Sequence, residues 1–158
     1  MDSGPEIGEP GAPYRTVDER LVVAAARLRA DRDCWFVTAS AERGPCAVPL
    51  SFLVFGPCVL LATARHRPAA RNVQADPRVI LVLGGFGDAI RLVGEAEVVP
   101  FESVDSSVLA LYVAKAGWSP VRPGFAGLVV TLNSIHCSRS PAEDRDRVVW
   151  RAGAPTAW

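Results

Sequence analysis

The sequence predicts an α+β domain that is mainly β, a small antiparallel barrel of six or seven strands with a few peripheral helices. Three observations predict it. Short apolar runs rich in valine, leucine and isoleucine recur along the chain, each bounded by Gly, Pro, Asn or Asp. The connections between most of them are short turns, so neighbouring strands pair antiparallel rather than through a long crossover. Only three stretches carry helical spacing, and they lie between groups of strands.

Taken in order, residues 1–15 hold several glycines and prolines with few apolar groups and read as a disordered N-terminal tail, followed by one domain over 16–158. From Thr16, the residues Val17, Leu21, Val22, Ala25, Ala26 and Leu28 recur at helical spacing. Arg20 falls on the charged side, and Thr16 with Glu19 forms a capping box. Cys34 to Thr38 is a strand, Glu42-Arg43-Gly44-Pro45 a turn, and Ala47 to Phe55 a second strand. Gly56-Pro57 turns the chain into a third strand, Cys58 to Thr63.

Pro68 fits the first turn of a short helix that runs to Gln74 and stops at Asp76-Pro77. Val79 to Leu83 and Ala89 to Val99 are strands around Gly84-Gly85-Phe86-Gly87-Asp88. That glycine cluster joins two strands, not a strand and a helix, so it is a hairpin turn and not a dinucleotide loop. Glu102 to Ala116 returns to helix, with Val104, Val108, Leu111 and Tyr112 on one face. Phe125 to Leu132 and Ile135 to Ser138 form a last pair of strands around Asn133-Ser134. The ending, 147–158, adds an edge strand or a tail.

Composition excludes several function classes. Seventeen basic residues balance seventeen acidic ones, so the charge of a nonspecific nucleic-acid or membrane-surface binder is absent. The four cysteines, Cys34, Cys46, Cys58 and Cys137, have neither metal-knuckle nor CxxC spacing, so no metal site is expected. No signal-like N-terminus and no long apolar span is present, and the expectation is a soluble, cytoplasmic protein with reduced thiols. No local pattern nominates a catalytic acid, base or nucleophile. Glu95 and Glu97 share one strand face and read as a polar outer surface. His136, on a strand between apolar neighbours, reads as a solvent-facing or interface histidine.

The most informative segment is Thr63 to Val79. Four arginines, Arg65, Arg67, Arg71 and Arg78, gather there with His66, one of only two histidines. A cationic turn between a buried strand and a helix start is a place to hold an anion, most readily a phosphate. The alternative is a solvated basic turn.

The order of these pieces resembles the flavin-binding split β-barrel superfamily, the pyridoxamine-5′-phosphate-oxidase-like proteins. The residues that carry the likeness are Trp35-Phe36-Val37-Thr38, Gly44-Pro45 leading to Val48-Pro49-Leu50-Ser51-Phe52, Leu61-Ala62-Thr63, Ala70-Arg71-Asn72-Val73 with Asp76-Pro77-Arg78-Val79, and Val93-Gly94-Glu95-Ala96-Glu97-Val98. The resemblance implies a six-stranded antiparallel split β-barrel with peripheral helices, homodimeric, with cofactor clefts at the subunit interface. It implies FMN, or alternatively a deazaflavin, with a small-molecule substrate.

On that reading the flavin ring lies along Pro49, Leu50, Ser51 and Thr63, and its phosphate meets Arg65, His66, Arg67 and Arg71. Trp118 and Trp150 are candidate walls of the cleft, with dimer-interface packing as the other reading for each. The likeness also has a gap. Where the true oxidases carry an arginine, a lysine and an Arg-Lys pair, this chain has Cys46 or Ala47, Ser51 and Pro68-Ala69. Vitamin-B6 oxidase activity is therefore not expected. A non-redox small-molecule or haem-binding module that has lost flavin stands as the alternative function.

Overall fold

The structure is a computed structural model that describes residues 13–85 and 87–158. The helices are α1 (Val17–Ala30), α2 (Pro68–Ala75) and α3 (Ser106–Ala116). The strands are β1 (Asp33–Ser40), β2 (Gly44–Phe55), β3 (Cys58–Ala64), β4 (Arg78–Leu83), β5 (Ala89–Val99), β6 (Phe125–Ser138) and β7 (Val148–Arg151). Antiparallel pairing runs in the order β3-β2-β1-β4-β5-β6, and β6 pairs back onto β3, which closes a six-stranded barrel. The seventh strand lies outside the closure, on the far half of β6. Closure leaves no free edge among the six barrel strands.

Alternation along each strand sends one side chain in two to the barrel interior. Phe36, Phe52, Leu61, Leu81, Ile90, Leu92, Leu128 and Leu132 meet there and are almost wholly buried. From α1, Ala24 and Leu28 join this core, as do Ala69 and Val73 of α2. A second cluster, Leu60, Ala62, Phe101, Tyr112 and Ala116, lies on the outer side of the barrel under α3.

Several boundaries differ from the sequence expectations, each for a physical reason. Up to residue 12 the expected tail lies outside the described residues. Beyond it, Tyr14 donates to Asp146, and Arg15 pairs with Glu143 at 2.9 Å and with Asp88 at 2.5 Å. The α1 capping box forms as expected, but the buried face is rotated. Val22 is 67% exposed, while Arg20 is fully buried. The Arg20 guanidinium donates to the Cys137 carbonyl at 2.9 Å and to the Asp146 carboxylate at 2.8 Å. Burial of this charge is satisfied by carbonyls and a carboxylate that no local pattern could reveal.

The expected helix from Glu102 divides into a 3-10 turn, Phe101–Ser103, and α3, because Asp105 caps the Ser107 N–H and restarts the helix. Leu111 is exposed, not packed. Asn133-Ser134 is not a turn: β6 is one continuous strand with a bulge there, where Val93 pairs with Ser134 and Gly94 with Leu132. Gly94 permits this close passage. A Cβ at that position would sit 2.3 Å from the Thr131 carbonyl oxygen. The β4–β5 connection is a hairpin, as the glycine cluster predicts.

Candidate functional site

The passage from β3 to α2 builds the site. Thr63, near the end of β3, is buried, and the chain then makes a tight turn. Arg65 N–H bonds the Gly124 carbonyl at 2.8 Å, and Arg67 N–H bonds that of Ala64 at 3.0 Å. Arg67 is the N-cap of α2 with no side-chain cap, and Pro68 occupies the first helical position. The first backbone bond inside the helix is Arg71 N–H to Arg67 carbonyl at 3.1 Å. The N–H groups of Ala69 and Ala70 therefore have no intrahelical acceptor.

This helix start is fixed by Asn72, which is fully buried. Its carboxamide oxygen accepts from the Ser40 hydroxyl at 2.8 Å. Its Nδ2 donates to the Gly44 carbonyl at 3.1 Å and to Thr38 Oγ1 at 3.2 Å.

Against the helix start lies a groove of about 380 Å³. One wall is the β2 row Cys46, Val48 and Leu50. Thr63, Arg67, Pro68 and Ala69 complete it. The wall is apolar, and the far end carries one guanidinium beside free helix N–H groups. That combination suits a flat, partly apolar molecule with an anionic tail.

Charge pairing sharpens the picture. Arg78 is neutralised by Asp76 at 2.6 Å, which holds that carboxyl down to about 2. Among the described residues, Arg65, Arg67 and Arg71 take part in no salt bridge. The basic turn thus keeps three uncompensated guanidiniums.

The structure brings Leu50, Thr63 and Arg67 together in the groove. The other expected site residues fall elsewhere. Pro49 is exposed on the opposite face of β2. Ser51 shares that face, where Trp118 Nε1 donates to its hydroxyl at 3.4 Å. Trp118 packs edge-on against Tyr112 and Phe125 beside α3. Three consecutive residues of a strand cannot all face one ligand side-on, which is why Pro49 and Ser51 part from Leu50.

Arg65 lines a second groove of about 330 Å³ with Arg122, Phe101 and Phe125. His66 and Arg71 are exposed, on the turn and on α2. Trp150 is a core residue at 4% exposure. It packs edge-on against Trp158 and donates to the carbonyls of Ala154 and Pro155.

Cys46, Val48, Pro68 and Ala69 are the groove residues that sequence reasoning did not select. Strand alternation from Leu50 points to the first two, and the Pro68 helix start to the others. Burial raises the thiols of Cys34 and Cys137, to about 12 and about 11, so neither is a ready nucleophile. Among the described residues, no group of three or more His, Cys, Asp or Glu side chains is placed to hold a metal ion.

Residues 23–139 match the family model described as pyridoxamine 5′-phosphate oxidase. The chain belongs to that family. Among solved structures it is similar to a haem-binding protein from Mycobacterium smegmatis, at 17% identity and TM-score 0.62, over 82% of this chain and 57% of that one. It is also similar to an F420 reductase, at 15% identity and TM-score 0.57, over 73% of this chain and 95% of that one. A pyridoxamine 5′-phosphate oxidase-related, FMN-binding protein from Nostoc punctiforme aligns at 12% identity and TM-score 0.52, over 80% and 86%. At such identities these likenesses establish the fold. No curated protein matches the sequence.

Proposed function

We propose that this protein is a flavin-dependent oxidoreductase that holds FMN, or a deazaflavin, in the groove at the start of α2 and acts on a small organic substrate. The observation that carries the reading is the junction of an apolar β2 wall with an uncompensated cationic turn and free helix N–H groups. Arg67 and the N–H groups of Ala69 and Ala70 hold the phosphate, and Arg71 adds positive potential from the exposed side. Val48 and Leu50 lie against the ring and exclude water from it. A bound flavin supplies the hydride transfer itself, and the protein supplies orientation and electrostatics. No side chain is assigned as acid or base. The F420 reductase and FMN-binding neighbours support this reading.

We further infer that two copies associate through the outer face of β1, β4 and β5. Trp35 is 49% exposed there. Cross-strand pairing sets it beside Pro49 and Val82, and sets Val37 beside Ile80, which in turn faces Val93. A groove of about 470 Å³ on this face is lined by Val37, Pro45, Ile80 and Val93, with Asp76, Arg78 and Glu95 also bordering it. An apolar patch left uncovered by any helix suits a second copy of the chain. Four unpaired cysteines suit a reducing compartment, and we place the protein in the cytoplasm. No described helix is long and apolar enough to cross a membrane.

One observation favours a second reading. Cys46, Pro68 and Ala69 stand at the groove, leaving Arg67 as its single charged side chain. A split barrel with so small a clamp could serve as a non-redox or haem-binding module, as its haem-binding neighbour suggests. The visible absorption spectrum of purified protein separates the two readings. A flavin or deazaflavin band released by denaturation supports the first. A colourless protein that ignores both added flavins, or a Soret band on haem addition, supports the second.

A further inference from the structure

The arginines of the basic turn divide between two grooves. Arg67 borders the groove at α2, whereas Arg65 lines a separate groove of about 330 Å³. This second groove forms where the β3–α2 turn meets the loop between α3 and β6. The two strands pair down to Ala64 opposite Phe125, and the Arg65 N–H then bonds the Gly124 carbonyl at 2.8 Å. The backbones of the two loops are thereby fixed to one another. Arg122 borders the groove from the second loop, and Phe101, Val121 and Phe125 give it apolar and aromatic walls. None of its lining residues belongs to β1, β4 or β5, the strands whose outer face is assigned to a second copy.

Arg122 is held in place rather than loose in solvent. Its guanidinium carbon lies 5.2 Å from the ring centroids of both Trp118 and Phe125, and Nη2 donates to the Ser119 carbonyl at 3.1 Å. Trp118 itself packs edge-on against Tyr112 and Phe125. A cation stacked on two rings has lost much of its rotamer freedom before any ligand arrives, which lowers the cost of binding. Among the described residues neither Arg65 nor Arg122 takes part in a salt bridge. Glu102 also borders the groove, yet it pairs with neither arginine. Two guanidiniums against one carboxylate leave one net positive charge, which matches a monoanion. A dianion would meet Glu102 as a repulsive neighbour.

We propose that Arg65 and Arg122 form a binding site for the carboxylate of a small aromatic acid, whose ring lies against Phe101 and Phe125. The guanidinium fork matches a planar carboxylate in two parallel hydrogen bonds. An aromatic body suits the apolar walls. The site needs no flavin, and its loss would leave the groove at α2 intact, since neither arginine lines that groove.

Calorimetric titration of the full chain with benzoate tests this, with benzamide as the uncharged comparison of similar shape. Benzoate is expected to bind saturably in the millimolar range or tighter, and benzamide about tenfold more weakly or worse, the scale of one charge-assisted bond. The indole N–H NMR signal of Trp118, assigned with Trp118→Phe, is expected to move with benzoate, because this ring backs Arg122. Arg65→Gln and Arg122→Gln each weaken binding about tenfold or more. Arg147→Gln, which removes an exposed arginine that lines neither groove, leaves it unchanged. No saturable binding of benzoate, equal binding of benzamide, an unmoved Trp118 signal, or an equal loss in Arg147→Gln overturns the proposal. Displacement of benzoate by equimolar inorganic phosphate also overturns it, since the site would then take phosphoryl groups. The wild-type comparison of benzoate with benzamide decides the matter even if an arginine variant fails to fold.

Discussion

The Ser40 hydroxyl donates a 2.8 Å hydrogen bond to the carboxamide oxygen of Asn72, and both residues are buried. This contact fixes the helix that opens the candidate groove to the first hairpin of the barrel. Asn72→Ala removes it together with the bonds to Thr38 and Gly44, and leaves buried polar atoms unpartnered. The expected loss is about 3 kcal/mol, from one to three per unsatisfied group with partial relaxation. Urea unfolding measures it. A loss well under about 1 kcal/mol would show that Asn72 is no such pin.

Gly94 lies where β5 and β6 pass closely at the bulge. Gly94→Ala puts a methyl group 2.3 Å from the Thr131 carbonyl oxygen and 2.9 Å from Val130 Cγ1. Backbone cannot yield as a flexible side chain does, so the expected cost is about 2 kcal/mol or more. Gly84→Ala, with nothing within 4 Å of its added Cβ, is the matched control and should be nearly neutral. Equal thermal stability of the two variants would contradict the tight passage.

Glu143 is fully buried and accepts from Arg15 and from the Arg139 N–H. The Arg15 bonds come first in holding its pKa at about 2, below the ordinary 4.5. Because the folded value is depressed, the stabilisation is complete above about pH 4.5 and is lost as pH falls toward 2. Unfolding free energy should therefore drop across that window. Glu143→Gln should lower stability at neutral pH by roughly 3–5 kcal/mol, as expected for breaking a buried pair. It should also flatten the acid dependence, and an unchanged acid slope in this variant would sink the assignment.

Trp35 leaves a large aromatic surface facing solvent in the single chain. If the β1, β4 and β5 face joins two copies, Trp35→Glu places a charge at the centre of the contact. The native protein should sediment as a dimer at micromolar concentration and the variant as a monomer of unchanged secondary structure. A native monomer would remove the interface altogether.

Much of the fold was legible because local rules and tertiary packing agree. Gly56-Pro57, the 84–88 turn and Pro68 each mark a boundary that the structure respects within a residue or two. Asn133-Ser134 misled because turn-forming residues also serve at a bulge, and the partner that makes it a bulge, Gly94, is about forty residues away in sequence. Arg20 looked solvent-facing because its acceptors come from the far end of the chain.

The site was legible as chemistry more than as geometry. The cationic turn announced itself in composition. That Arg67 borders the groove while Arg65 turns toward Arg122 is decided by loop contacts no spacing encodes. Trp150 offered an aromatic wall by type but is held in the core by Trp158 and two carbonyls.

The central claim is that the α2 turn holds the phosphate of a flavin, and a titration of apo-protein with FMN and with deazaflavin, in native chain and in the Arg67→Ala, Arg71→Ala pair, tests it most directly. Saturable binding of one flavin by the native chain is expected, weakened more than tenfold in the double variant by loss of charge-assisted bonds worth roughly 1.5–3 kcal/mol each. Equal affinity in both proteins, or no binding of either flavin to the native chain, would contradict it.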